Sequence, residues 1–373
     1  MSIPAKIIEL DIAIIGGGSS GMALATRLNG LSATVFEPKT AAERDCCWAF
    51  WAHPPQLKEF SQSIQGSWDR WRIIDHNDEI IHHSNQYRYT CLSAKKHLEH
   101  CETNLKKSTS LVRSPVENLV PKGNGGQFNA NGQRYSAKTI YDSRPPTMGE
   151  NSLRQHFLGW EISLKEPMEN ADIATLMDFR VDQSRGLHFI YVLPYSDRHL
   201  LVESTMISTQ LEDKGWYRNA ITGWLAEHNI QVKSQLREEY GVISMATEQP
   251  LNSEVNNIGA NGGAVRLSSG YAFSTIQRQM AELAQSINAG QRNVPKPFSR
   301  LLMFMDKVFN RALNAQPDQG VSFFMATAKA LNAEQFSLFM LGDAGFLEWA
   351  KVMQAMPKWP FIKSALSQIF SHD

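Results

Sequence analysis

Six residues near the start of the chain, Gly16-Gly17-Gly18-Ser19-Ser20-Gly21, follow the pattern GxGxxG, and Glu37 comes about twenty residues after the first of them. Glycines at this spacing suit a dinucleotide. Gly16 permits a tight turn, Gly18 lets the backbone approach a pyrophosphate, and Gly21 allows a helix to pack closely on a strand. The start of the helix offers free N–H groups and a positive dipole end to an anion. Glu37 can accept hydrogen bonds from a ribose 2′-OH, and its charge would repel a 2′-phosphate. Position at the N-terminus, together with a long sheet-rich insertion further on, favours FAD over NAD.

Other residues able to do chemistry are fewer. Glu203 follows Leu200-Leu201-Val202, so it sits in apolar company. It is either a buried acid of raised pKa or a carboxylate at a strand edge. Glu238 and Glu239 are adjacent, and adjacent strand residues face opposite ways, which argues against an acid/base dyad between the two. Glu238 is expected to support a loop near the cofactor and Glu239 to be solvated. His82-His83 has the same alternation and no third ligand, so no metal site is expected. Cys46, Cys47, Cys91 and Cys101 fit neither a zinc knuckle nor a CxxC pair and read as reduced thiols of a cytoplasmic protein. Gly342-Asp343-Ala344 looks like the Gly-Asp motif of flavin hydroxylases, but it lies in a helical stretch and is read as coincidental.

The elements that must position these residues are legible in outline. Ile7–Ile15 is a β-branched run of the kind found in buried parallel strands. Met22–Leu28 reads as helix and Ala33–Phe36 as the next strand, completing a βαβ unit. Residues 70–74, 86–92, 111–120 and 133–146 read as strands, with a helix over 93–101 and a turn at Gly-Asn-Gly-Gly. Residues 155–210 look like sheet, and amphipathic helices are expected over 216–229 and 271–287. After Pro295, Leu, Met, Phe and Ala recur at helical spacing. The chain has 37 basic and 37 acidic residues, so no global field draws it to nucleic acid. It shows no signal peptide and no transmembrane run.

Several further segments resemble the lycopene cyclase family in order and spacing. They are Arg44–Trp51 (RDCCWAFW), Ile140–Pro146 (IYDSRPP), Gln155–Ile162 (QHFLGWEI), Leu176–Ser208, Arg237–Met245 (REEYGVISM) and Ile258–Phe273 (IGANGGAVRLSSGYAF). Near the end, FMDKVF and VMQAMPKWPF fit as well. Two departures are Ser244 and Leu267, each where the family usually has proline.

The resemblance implies an α/β fold: an FAD-binding Rossmann-like domain of the flavin-hydroxylase type, an interleaved β-sheet substrate domain and a helical C-terminal part. The expected boundaries are 1–150, 151–250, a return to the FAD-binding domain over 251–292, and 293–373. Motif and resemblance together assign FAD to Gly16, Gly18, Ser20, Gly21, Glu37 and Arg44, with Gly259, Ser269, Gly270 and Tyr271 on the flavin side. The family's catalytic acid corresponds to Glu203. Trp48, Phe50, Trp51 and Met245 are expected to line a substrate channel, although ordinary core packing is an equal reading of the three aromatics. The implied activity is acid-catalysed, non-redox cyclisation of the linear end of lycopene or a related isoprenoid to a β-ring, with FAD in its reduced form and NAD(P)H as reductant. A flavin-dependent monooxygenase or other oxidoreductase acting on a hydrophobic substrate is the alternative, and a non-catalytic isoprenoid-binding protein a third. The oily substrate and the Met/Phe/Trp-rich end point either to a helical core or to peripheral association with a membrane surface.

Overall fold

The computed structural model describes residues 7–370, and the statements below concern these. The chain begins with β1 (Ile7–Ile15), α1 (Ser19–Arg27) and β2 (Ala33–Phe36). β1 pairs in parallel with β2, as the βαβ reading requires. The chain then leaves this sheet through β3 (Cys47–Ala52), α2 (Pro54–Glu59), β4 (Ile64–Trp68), β5 (Arg70–Ile74), β6 (Glu79–His83) and β7 (Arg88–Ser93). It returns through α3 (Ala94–Thr103), β8 (Thr109–Val112), β9 (Glu117–Lys122), β10 (Gly125–Ala130) and β11 (Gln133–Asp142). The nucleotide-side sheet has the order β8-β2-β1-β11-β10-β9. Its central strands are buried on both faces, which explains the apolar run Ile12–Ile15 in the second half of β1.

A second sheet follows from β12 (Arg154–Leu164), β13 (Ile173–Asp178), β14 (Leu187–Ser196) and β15 (His199–Ser208). It is completed, after α4 (Lys214–Glu227), by β16 (Val232–Ser244). The strand order is β16-β12-β15-β14-β13-β5-β6. β5 and β6 therefore belong to this sheet, though they precede residue 150. The expected boundary at 150 does not separate the sheets, because β5 pairs with β13 across a long stretch of sequence. One face of the second sheet is covered by α4, through Tyr217, Ile221, Trp224 and Leu225. The opposite face is turned to the functional cavity.

The short strand β17 (Asn256–Asn257) rejoins β11, and α5 (Phe273–Asn288) packs its apolar stripe on α1. The remaining elements are helices: α6 (Arg300–Ala315), α7 (Gly320–Ala330), α8 (Ala333–Leu341), α9 (Phe346–Ala355) and α10 (Lys358–Phe370). Among the described residues no helix is long and apolar enough to cross a membrane.

Candidate active site

The turn between β1 and α1 is built by close approach. A Cβ on Gly21 would stand 1.9 Å from the Gly16 carbonyl oxygen, so only glycine lets the helix start there. Gly16 itself has φ +92°, a conformation that favours glycine. Gly18 faces open space at the N-terminus of α1, where its missing side chain leaves room for a phosphate. Gly259 meets this turn from the other side: a Cβ there would lie 1.8 Å from Ser20 Oγ.

Glu37, at the tip of β2, is buried and accepts hydrogen bonds from the backbone N–H of Gly17 (2.8 Å) and Lys39 (2.9 Å). Its free lone pairs remain for a ribose diol. Arg44 packs beside it at 3.7 Å, donates to the Gly17 carbonyl and pairs with Glu102 at 2.9 Å. Turn, helix start and carboxylate thus sit together as a dinucleotide requires. A cavity of about 420 Å³ runs between the loop after η-turn residues 259–262 and the second sheet. Ser269, Gly270 and Tyr271 line it, so the flavin-side residues and the sheet share one space. The donor set fits FAD.

On the sheet side the register decides the chemistry. Residues directly opposite one another across antiparallel strands share a face. Glu239 (β16), Gly159 (β12), Glu203 (β15) and Tyr191 (β14) form one such row. Gly159 is the gap in it. A Cβ at that position would stand 2.7 Å from Glu203 Cγ, so the glycine gives the two carboxyl groups room to meet across β12.

Glu203 is 8% exposed and lines the cavity. Burial, followed by the charge of Glu239 and the hydrogen bond between the two carboxyl groups, holds Glu203 well above the ordinary carboxylate range. Glu239 is compensated differently. It accepts from Arg237 Nη1 and, at 3.3 Å, from the Cys47 backbone N–H. The same guanidinium reaches Glu161 at 3.1 Å and Asp45 at 3.8 Å. One carboxyl is therefore ion-paired, and the burial of the other beside it favours the neutral acid. Around them stand hydroxyl and thiol groups: Tyr89 OH lies 2.9 Å from the hydroxyls of both Tyr191 and Tyr271, and Cys47 Sγ lies 3.1 Å from Tyr195 OH. Burial raises the pKa of all three hydrogen-bonded tyrosines, so they are neutral donors.

The remaining expectations fall as follows. Trp48 lines the cavity and stacks on Phe273 at 5.5 Å. Phe50 and Trp51 lie behind the wall. Phe50 packs on Phe60 and Phe273, and Trp51 on Trp71, Tyr89, Tyr271 and Phe336. Met245 is 2% exposed in the core, while its neighbours Ser244 and Ala246 line the cavity. Packing thus takes three of the four expected channel residues.

The roles expected of Glu238 and Glu239 are exchanged. Glu238 points outward to Arg218 and Trp160 Nε1, and the Arg218 hydrogen bond holds its pKa at about 2. Glu239, expected in solvent, is the one beside Glu203. His82 is buried and stacks on Phe336 at 4.9 Å, and His83 faces out beside Asp69. Gly342 ends α8 with φ +83°, and Asp343 pairs with Arg278 at 2.7 Å.

Taken together, a GxGxxG turn on a parallel sheet and a second, antiparallel sheet flooring the adjoining cavity define the fold of FAD-dependent flavoproteins. Solved structures agree on the fold. A geranylgeranyl bacteriochlorophyll reductase-like protein from Thermoplasma acidophilum superposes with TM-score 0.65 at 13% identity, over 97% of this chain and 100% of that one. A flavoprotein/dehydrogenase from Cytophaga hutchinsonii does so with TM-score 0.61 at 13% identity, over 98% and 100%. The flavin-dependent brominase Bmp2 gives TM-score 0.54 at 11% identity, over 98% and 94%.

Residues 11–366 match the family described as "Lycopene cyclase protein", and the chain belongs to that family. It is similar to a lycopene beta-cyclase of Pantoea ananas, 26% identical over 251 residues, 62% of this chain and 62% of the relative. A chloroplastic lycopene beta cyclase of Solanum lycopersicum is 20% identical over 309 residues, 76% of this chain and 61% of the relative. The chain thus spans about three-fifths of the length of these relatives.

Proposed function

We propose that this protein is a flavin-dependent cyclase that closes a ring at the end of lycopene or a closely related linear isoprenoid, without net oxidation or reduction. The observation that carries this reading is the buried Glu203 carboxyl, set beside an ion-paired Glu239 on a mainly apolar cavity and held above the ordinary carboxylate range. An acid without a solvated, charged form is what protonating an unactivated alkene requires.

The chain's own groups supply the steps. Glu203 gives its proton to the terminal alkene, and a tertiary carbocation forms. The neighbouring alkene attacks the cation, and the ring closes. Loss of a ring proton to a carboxylate then gives the β-ring, so the atoms of the substrate are conserved. Glu239, held by Arg237, places an ion-paired carboxylate next to the site. The faces of Trp48 and Phe157 border the cavity and favour a cation over a neutral alkene. Apolar walls exclude the water that would trap it. The Gly16–Gly21 turn, Glu37 and the 259–271 stretch would hold FAD, and the flavin, reduced by NAD(P)H, would supply further negative charge to the site. Because the substrate is available only from a bilayer, the protein is proposed to work at a membrane surface, with the exposed apolar face of α9 and α10 against the lipid.

The test is anaerobic incubation with lycopene, FAD and NADPH. Ring products without oxygen support the cyclase. Oxygen-dependent consumption of NADPH with an oxygenated product would establish the monooxygenase instead. Glu203→Gln is expected to lower turnover by about 10³-fold while flavin absorbance is unchanged. Full activity in that variant would remove Glu203 from its role.

A further inference from the structure

Besides the cavity at Glu203, the helical end encloses a second cavity of about 310 Å³. Its wall comes from α6, α7, α8, α9 and α10, through residues such as Phe309, Phe324, Phe339, Met340, Val352 and Phe361. Well-packed interiors hold few voids larger than a water molecule, so a space of this size among close-packed helices is unusual for structure alone. Apart from Ser269, the polar groups on its wall are committed. Thr327 donates to the Phe323 carbonyl at 2.9 Å within its own helix. Lys358 Nζ donates to the carbonyls of Met353 (2.7 Å) and Gln354 (2.6 Å) at the end of α9. No polar side chain is aimed at a headgroup; the space suits a bare hydrocarbon.

Two residues belong to both cavities, Ser269 and Asp306. They form the partition. Asp306 is held to the side by Ser268 Oγ (2.8 Å) and by Arg266 (3.4 Å), a guanidinium that lies over the Phe339 ring. Ser269 Oγ is buried with no hydrogen-bond partner. At the other end, Met353 and Ile362 line the second cavity and are 47% and 49% exposed, so it opens at the surface between α9 and α10.

We propose that the second cavity receives the unreacted arm of a long linear polyene whose reacting end lies at Glu203, the chain passing beside Ser269 and Asp306. The assignment rests on the cyclase reading and adds where the rest of the substrate goes. It follows that one end reacts at a time, and that the arm leads toward the apolar outer face of α9 and α10.

The experiment fills the second cavity and leaves the first intact. Met340→Trp on α8 and Val352→Phe on α9 add volume on its wall, away from the cavity at Glu203. Lycopene binding is followed by the induced circular dichroism of the pigment with oxidised flavin, and turnover by product analysis with reduced flavin. Flavin absorbance and Tm report folding, and the variant that folds carries the result where the other does not. Lycopene binding weakened by about tenfold or more, with flavin content unchanged, is expected. Wild-type binding and turnover in a filled variant would overturn the cavity assignment and leave the cyclase standing. Wild-type protein that binds lycopene in both cavities' presence but never cyclises it would overturn the cyclase and leave the assignment. Failure of wild-type protein to bind lycopene would overturn both.

Discussion

Glu203 and Glu239 meet over Gly159, and the charge of one sets the proton of the other. Arg237 is ion-paired with Glu239, and its charge only partly offsets the burial and the Glu239 charge that raise the pKa of Glu203, the member that lines the cavity. In the proposed cyclisation Glu203 must be protonated, so activity is expected to fall as pH rises through the raised pKa of its carboxyl. Glu239→Gln removes the neighbouring charge, one of the causes of the elevation after burial. The alkaline limb of the pH–rate profile is then expected to move to lower pH, while flavin binding persists. Glu239 acts through Glu203, so a merely structural loss would lower activity at all pH values and leave the limb in place. An unshifted limb in a folded Glu239→Gln protein would remove the coupling.

At the scale of elements, the βαβ unit, the sheet-rich middle and the helical end were legible because each rests on local signals: β1's apolar run, the glycine turn and the helical periodicity after Pro295. Strand parity was half legible. Alternation showed that Glu238 and Glu239 face opposite ways, but not which of them faces in. That depends on the register of β16 on β12, where bulges occur at Glu161/Ile162 and Ser163/Leu164. The glycine in the Gln155–Ile162 segment was the available clue, since a strand residue without a side chain marks a close approach. The sequence leaves Phe50 and Trp51 open between wall and core, and places Met245 on the wall, for a related reason: large apolar side chains serve a cavity wall and the core behind it equally well, and only packing separates them. The turn itself makes a sharp prediction. In Gly21→Ala the new methyl would overlap the Gly16 carbonyl, and the helix start must move from the phosphate position. Flavin affinity is expected to fall by about tenfold or more, read by equilibrium dialysis. Protein that keeps its flavin after this change would argue against a dinucleotide at α1.

Across the whole molecule, the second cavity opens beside large apolar side chains that are exposed on α9 and α10. Phe346, Leu347, Trp359 and Phe370 are 81%, 69%, 71% and 78% exposed, all on α9 and α10. These helices carry Lys351, Lys358 and Lys363 against a single acid, Glu348, so the face has the cationic fringe that suits anionic lipid. Burying a large apolar side chain is worth about 1.5–3 kcal/mol, so two such residues shift membrane partition by well over about tenfold. The double variant Phe346→Ser, Trp359→Ser is therefore expected to release the protein from anionic liposomes in flotation. It should also lose turnover of lycopene presented in liposomes and keep turnover of lycopene in detergent micelles. Equal loss in both would place the two residues in folding or catalysis, and unchanged flotation would show that lipid is met by another surface. The micelle arm separates delivery from chemistry because Phe346 and Trp359 line neither cavity.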